Sequence, residues 1–92
     1  MDNSDLTPEE QFELYLNQRD QKRLILHNDD VNTFKHVIVT LMHICEHDAI
    51  QAEQCATLIH HKGSCHIKTG SPSEIAIMKM RLIENNLNVS VE

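Results

Sequence analysis

The chain has 92 residues, 40% of them hydrophobic, and a formal net charge of −6 at pH 7. This length supports one small domain with a single core, and the acidic balance argues against nucleic acid, whose phosphates require a basic surface. No apolar run approaches the roughly 18 residues of a membrane span, and the acidic N-terminus lacks the charge of a signal peptide. We therefore expect a cytoplasmic protein that binds neither membrane nor nucleic acid.

The first 22 residues differ in charge from the rest of the chain. They hold six acidic residues against two basic ones, a net charge of −4, whereas the remaining residues have a net charge of −2. We predict a flexible acidic N-terminal extension over 1–22 and a core domain over 23–92. Within the extension, Thr7-Pro8-Glu9-Glu10 has the pattern of a helix start. A short helix could follow through Phe12, Leu14 and Leu16, although one so short is marginal in isolation.

The core domain is predicted to begin with a buried strand over 23–27 and an amphipathic helix. The apolar residues of that helix recur at helical spacing and are Phe34, Val37, Ile38, Leu41, Met42 and Cys45. Asn32 or Thr33 is its predicted N-cap. Asp48 is the predicted N-cap of a second helix, and Gly63 is predicted to end it.

A second strand is predicted over 64–69, followed by a third helix and a last strand. Ser71-Pro72-Ser73-Glu74 supplies an N-cap, a proline at the first helical position and a capping-box glutamate. Leu87, Val89 and Val91 then alternate with polar residues, as in a strand. The order β-α-α-β-α-β predicts an α+β fold, a three-stranded antiparallel sheet with three helices packed on one face.

Seven histidines and three cysteines raise the alternative of a zinc-binding domain. His43 and His47 are four residues apart and could share a helix face, but there is no closely spaced cysteine pair and no HExxH motif. There is also no nucleophile motif such as GxSxG. We expect no metal, no cofactor and no catalytic activity, with Cys45, Cys55 and Cys65 reduced.

The tripeptide Asn28-Asp29-Asp30 lies at the corner between the first strand and the first helix, and His60 lies near the end of the second helix. Asn and Asp favour such corners for reasons of turn geometry alone. Three hydrogen-bond acceptors on a rigid corner also suit a primary ammonium group, which has three N–H donors. Both interpretations are compatible with these residues.

Taken together, these motifs resemble the ClpS family, the adaptors of the bacterial Clp protease that recognise N-degrons. The family pattern is an apolar strand, Asn-Asp-Asp and an amphipathic helix, then a helix ending in a hydrophobic-His pair with a glycine three residues after the histidine. Here these segments are 24–30 and 58–63, and the resemblance covers roughly residues 22–92. It implies a non-catalytic bacterial adaptor.

The resemblance also implies roles for individual residues. Asn28, Asp30 and His60 would bind the α-amino group of a substrate's first residue, with Asp29 and Asn32 in support. The implied pocket for the first side chain is lined by Phe34, Val37, Ala56, Ile59 and Leu87. An uncharged pocket favours Leu, Phe, Tyr or Trp as the first residue. The resemblance implies a monomer whose partner is the N-terminal domain of a Clp AAA+ unfoldase. Lys79 is a candidate contact with that domain. The extension would deliver substrates to the unfoldase.

The chain departs from the family pattern at several positions. Asn32-Thr33-Phe34 replaces the usual Thr-Pro-Met, Val31 replaces an aromatic residue, and Ala56 stands where a larger residue is usual. The ranking among preferred first residues therefore stays open. The alternative function is that of a general protein-interaction domain without a pocket for N-terminal residues, similar in fold to the C-terminal domain of the ribosomal stalk protein.

Overall fold

The computed structural model describes residues 5–92, so that residues 1–4 of the predicted extension lie outside the described residues. In chain order the elements are helix α1 (Pro8–Arg19), strand β1 (Lys22–His27), helix α2 (Phe34–Ile44), helix α3 (Ala49–Lys62), strand β2 (Ser64–Gly70), helix α4 (Pro72–Glu84) and strand β3 (Asn88–Val91). The α+β class and the order of elements predicted for the core are confirmed.

The three strands form one antiparallel sheet in the order β2-β1-β3. Because β1 is central, its residues pair on both sides: Leu26 is opposite Cys65 on β2 and Val89 on β3. The side chains of Leu24 and Leu26 are fully buried. Their shared face is the one that the helices cover, since residues two apart on a strand point the same way.

The core is one cluster of buried side chains contributed by β1, α2, α3, β2, α4 and the residue before β3. Its members are Leu24, Leu26, Leu41, Cys45, Ala52, Cys55, Ile59, Ile67, Ile75, Leu82 and Leu87. Each large aliphatic side chain in such a cluster contributes roughly 1.5–3 kcal/mol by leaving water. Not all of the predicted stripe of α2 is buried: Leu41 and Cys45 lie in the core, but Phe34 is 49% exposed.

The helix count differs from the prediction, because α1 is a fourth helix within the predicted extension. It begins as the local sequence indicates: the Thr7 hydroxyl accepts a hydrogen bond from the Glu10 amide, and Pro8 occupies the first turn. None of its residues is buried. Its start signals therefore account for where it begins, and no packed apolar face adds to its stability. Among the helices of residues 5–92, none has both the length and the hydropathy needed to cross a bilayer.

Capping residues determine where the core helices begin and end. The side chains of Thr33, Asp48 and Ser71 accept hydrogen bonds from backbone amides in the first turns of α2, α3 and α4. In α4 both bonds of the predicted capping box with Glu74 are present. Gly63 ends α3 in the left-handed conformation, with φ of 90°. These boundaries place the end of β1, the start of α2 and the end of α3 close to one another.

Replacing Gly63 by alanine should lower the free energy of unfolding by about 1–2 kcal/mol, the usual cost of a left-handed conformation for a residue with a Cβ. A Cβ at this position would meet no atom within 4 Å, so the cost is conformational rather than steric. Gly63→Asn should lose less, because asparagine tolerates positive φ. Urea unfolding measures both; equal losses in the two variants would contradict this explanation.

Candidate functional site

The segment Asn28-Asp29-Asp30 follows β1 and is hydrogen-bonded to the end of α3. The backbone N–H of Asn28 donates to the carbonyl of Gly63 at 2.9 Å, and the N–H of Gly63 donates to the carbonyl of Ile59 at 2.8 Å. His60 is the residue after Ile59. The strand corner and the helix end, which are more than thirty residues apart in sequence, thus meet at one end of the domain.

Asp29 organises the loop that connects β1 to α2. Its Oδ1 accepts hydrogen bonds from the backbone N–H groups of Val31 and Asn32, at 2.9 and 2.8 Å, and its Oδ2 accepts one from the Asn32 side-chain amide at 2.8 Å. The backbone bond from Asn32 is the main reason that the pKa of Asp29 lies below its ordinary value, against partial desolvation. The side-chain bond from Asn32, the Val31 amide and the charge of His36 act in the same direction. Asp29 is therefore ionised at neutral pH and holds the loop in place.

Asn28, Asp30 and His60 differ from Asp29 in that their side chains are exposed. The ring of His60 packs edge-on against that of His61, with 5.2 Å between ring centroids and an interplanar angle of 74°. Within residues 5–92, none of the three side chains forms a hydrogen bond. Their acceptor atoms are therefore not occupied by other described groups of the fold.

A small cavity opens beside Asn28, between β1, α2, α3 and the turn before β3. Its volume is about 30 Å³, and its lining residues are Leu26, His27, Asn28, Asp29, Asn32, Val37, Ile59 and Leu87. Val37, Ile59 and Leu87 make up most of its apolar wall, and Asn28, Asp29 and Asn32 form a polar rim. This volume corresponds to about one water molecule. A leucine or phenylalanine side chain can enter only if the walls move apart.

The residues predicted to form the pocket are not all at this cavity. Val37, Ile59 and Leu87 line it, whereas Phe34 and Ala56 do not. Phe34 occupies the first turn of α2, and Ala56 is buried on α3. Asp30 and His60 are near the lining residues in sequence but are not part of the lining, and Lys79 lies on α4, which contributes no lining residue.

The sequence analysis did not predict Leu26 and His27 at the cavity, or Val31, Asn86 and Asn88 beside it, as site residues. An open depression of about 460 Å³ adjoins the cavity and is lined by Asp29, Val31, Asn86, Leu87 and Asn88. In the sequence, the pair Asn85-Asn86 indicates only that a helix ends there. The hydrogen bonds between that turn and the residues at the start of α2 join positions far apart in the sequence.

Outside this site, His47, Cys45 and Cys55 are buried in the fold. Within residues 5–92, no group of three potential ligands is placed to hold a metal ion. The Nε2 of buried His47 lies 2.9 Å from the carbonyl oxygen of Ile67, so this ring donates to β2 rather than to a ligand. Burial raises the pKa of the Cys45 thiol to about 11. The pKa of Cys55 is also raised, mainly by burial and then by Cys65, so both thiols are protonated at neutral pH.

Comparison with known proteins identifies the family of the chain. Residues 17–89 match the family described as "ATP-dependent Clp protease adaptor protein ClpS". The chain belongs to the ClpS family. This match confirms the resemblance that rested on the Asn28-Asp29-Asp30 and His60 segments. The match spans β1, α2, α3, β2 and α4 and ends within β3.

Individual relatives agree with this assignment. The chain is 41% identical over 63 residues to the ATP-dependent Clp protease adapter protein ClpS from two subspecies of Campylobacter jejuni, jejuni and doylei. The alignment covers 66% of this chain and spans 62% of the length of these curated relatives. Agrobacterium tumefaciens ClpS2 bound to L-phenylalaninamide has a similar structure, with a TM-score of 0.73 and 16% identity over 79% of this chain and 95% of that chain. At this identity the likeness establishes a shared fold.

Asp29→Ala should lower the free energy of unfolding by about 1–2 kcal/mol at pH 6, because two backbone amides lose their acceptor. The pKa of Asp29 is lowered from its ordinary value of 3.8. Its contribution is therefore complete above pH 3.8 and is lost as the pH falls through the lower pKa of the folded state. The difference in stability between wild type and variant should shrink in that range.

The matched control is Asp30→Ala, since the carboxylate of Asp30 accepts no hydrogen bond from residues 5–92 and its loss should barely change stability. Chemical denaturation from pH 6 to pH 2.5 measures both differences. A difference for Asp29→Ala that stayed constant over this range would contradict the role of the carboxylate in the loop.

Proposed function

We propose that this protein is a non-catalytic ClpS-type adaptor that binds the free α-amino group and the bulky hydrophobic first side chain of N-degron substrates. The observation that carries this proposal is the cavity at the end of β1, where Val37, Ile59 and Leu87 form the wall and Asn28 is on the rim. An apolar recess bordered by convergent polar groups is the usual form of a small recognition site.

The α-amino group would be bound by the side chains of Asn28, Asp30 and His60. An ammonium has three N–H donors, and an amide oxygen, a carboxylate and a neutral imidazole nitrogen are three acceptors. The bond to Asp30 is charge-assisted and hence the strongest of the three. The end of α3 adds to the attraction, because its carbonyl dipoles leave partial negative charge where Gly63 meets Asn28. Asp29 and Asn32 support this arrangement by holding the loop.

The first side chain would enter between Val37, Ile59 and Leu87, with Phe34 and Ala56 as neighbouring contacts once the walls have separated. Phe34 is suited to this movement because it is about half exposed and lies outside the core cluster. Charged side chains would lose hydration without gaining a partner, so Leu, Phe, Tyr and Trp are the proposed first residues. The phenylalaninamide bound to the similarly folded Agrobacterium protein has an aromatic side chain of this kind.

The partner that receives the substrate would be the N-terminal domain of a Clp AAA+ unfoldase in the bacterial cytoplasm. Lys79 on α4 is the proposed contact residue. The extension would then deliver the substrate by entering the unfoldase pore. This use suits α1, because a helix without buried residues can be unwound at little cost to the domain.

The alternative is a general protein-interaction domain without selectivity for N-terminal residues. One observation favours it: Ile77, Met80 and Ile83 recur every three residues along α4 and are each more than half exposed. An exposed apolar strip of this kind can bind a protein surface. Such a surface would not distinguish a free amino group from a blocked one.

Binding of matched peptides discriminates between the two functions. A fluorescent peptide that begins with leucine should bind with a free amino group. Acetylation should weaken binding by about tenfold or more, because the charge and two N–H donors are lost. A peptide that begins with glutamate is the control for the side chain. Equal affinity for the free and acetylated peptides would remove the adaptor function and favour the alternative.

In the same assay Asp30→Ala should weaken binding of the free peptide by about 1.5–3 kcal/mol, the range of a hydrogen bond to a charged group. The thermal unfolding of the variant should match that of wild type. Glu53→Ala, which removes an exposed carboxylate from α3, is the matched control and should bind normally. Unchanged affinity in Asp30→Ala would show that the ammonium binds elsewhere.

Removal of residues 1–20 should leave peptide binding intact but abolish degradation of a leucine-initiated reporter by a Clp unfoldase and its protease. Binding should be intact because the extension contributes no residue to the core cluster or to the cavity lining. Degradation should be lost because the extension is proposed to deliver the substrate. A chain in which these residues are replaced by a Gly/Ser segment of equal length tests whether length alone is sufficient. Degradation at the wild-type rate by the truncated chain would exclude the extension from delivery.

A further inference from the structure

The turn between α4 and β3 has a conformation that fixes the position of Leu87. The N–H of Asn86 donates to the carbonyl of Ile83 at 2.9 Å, and the N–H of Leu87 donates to the carbonyl of Leu82 at 3.0 Å. Asn86 has a positive φ of 66°. This is the Schellman ending of a helix, with asparagine in the position usually held by glycine. It leaves Leu87 buried in the same cluster as Leu82.

Two carbonyl groups of this turn accept hydrogen bonds from side chains of the loop before α2 and of α2 itself. The Asn32 side-chain amide donates to the carbonyl of Asn86 at 2.8 Å, and Nε2 of His36 lies 2.9 Å from the carbonyl oxygen of Asn85. Because a carbonyl only accepts, His36 carries its proton on Nε2 here. We call these two bonds the clasp. They give hydrogen-bond partners to two carbonyl groups of the turn that follows α4.

The clasp joins the two sides of the cavity. Asn32 belongs to the polar rim and also donates to Asp29, so its amide connects the loop after β1 with the turn before β3. His36 precedes Val37, which contributes the α2 part of the wall, and the turn leads into Leu87, which contributes another part of the wall. Any increase in the distance between these two parts of the wall must therefore stretch or break the clasp.

We propose that the clasp limits how far Val37 and Leu87 can separate and thereby determines which first side chains the cavity accepts. This inference rests on the proposed function. Any first side chain requires the walls to separate, since the cavity has a volume of only about 30 Å³. A tryptophan requires more separation than a leucine and so strains the clasp more. His36 and Asn32 are positioning residues that favour leucine over tryptophan, and His36 does so from outside the cavity lining.

The test compares the binding of two peptides that differ only in the first residue, leucine or tryptophan, to the full chain. His36→Ala should raise the ratio of tryptophan to leucine affinity by about threefold or more, as expected from loss of one hydrogen bond. His36→Gln retains a side-chain donor and should restore much of the wild-type ratio. His43→Ala removes an exposed histidine from the same helix and should leave the ratio unchanged.

The ratio separates positioning from general stability, because a variant that is merely less stable loses affinity for both peptides equally. Asn32→Ala, which breaks the other bond of the clasp, provides a second variant if His36→Ala folds poorly, and it should shift the ratio in the same direction. An unchanged ratio in the folded variant would overturn the inference. The affinity of the wild-type protein for the acetylated peptides tests the proposed function separately. If wild type discriminates against acetylation while the ratio does not move, only the clasp inference fails.

Discussion

The hydrogen bond from the Asn28 amide to the Gly63 carbonyl is the interaction on which the arrangement of the site depends. It joins the end of the central strand to the end of α3, so that the acidic corner and His60 belong to one surface. The bond requires Gly63 to leave the helix in a left-handed conformation, which directs the chain into β2. Gly63 thus ends α3 directly before β2 begins, and its carbonyl holds the loop that starts at Asn28.

The cavity is small because its walls are also part of the core. Ile59 and Leu87 belong to the buried cluster of the domain and to the cavity lining. A chain of this length has a single core and cannot dedicate separate side chains to binding and to stability. Opening the cavity therefore costs packing energy within the core itself. Under the proposed function, the first side chain of a substrate would replace contacts that the domain makes internally.

Much of the fold was predictable because its boundaries are local. The capping box at Ser71, the N-cap at Asp48 and the left-handed Gly63 each depend on residues within four positions, and the structure has all three. Periodicity was less informative about burial. It placed Phe34 on the same stripe as Leu41, but Phe34 is half exposed, because periodicity gives the direction of a side chain and not whether a neighbour covers it.

The parts of the site that sequence did not predict involve residues far apart in the chain. His36 and Asn85 are 49 positions apart, and neither belongs to a motif that would indicate contact. The pair Asn85-Asn86 indicated where α4 ends but not that its carbonyls would accept side chains from α2. The family resemblance implied the proposed roles of Asn28 and His60, whereas the size of the cavity depends on the packing of β1, α2, α3 and the turn before β3.

The absence of buried residues in α1 has a consequence for how such a protein can change over evolutionary time. Substitutions in that helix do not disturb the packing of the core domain. Selection on such substitutions acts through what the segment does outside the core domain, whereas selection on core substitutions acts mainly through folding. Substitutions in α1 and substitutions in the core can thus change separate properties of the protein, each with little effect on the other.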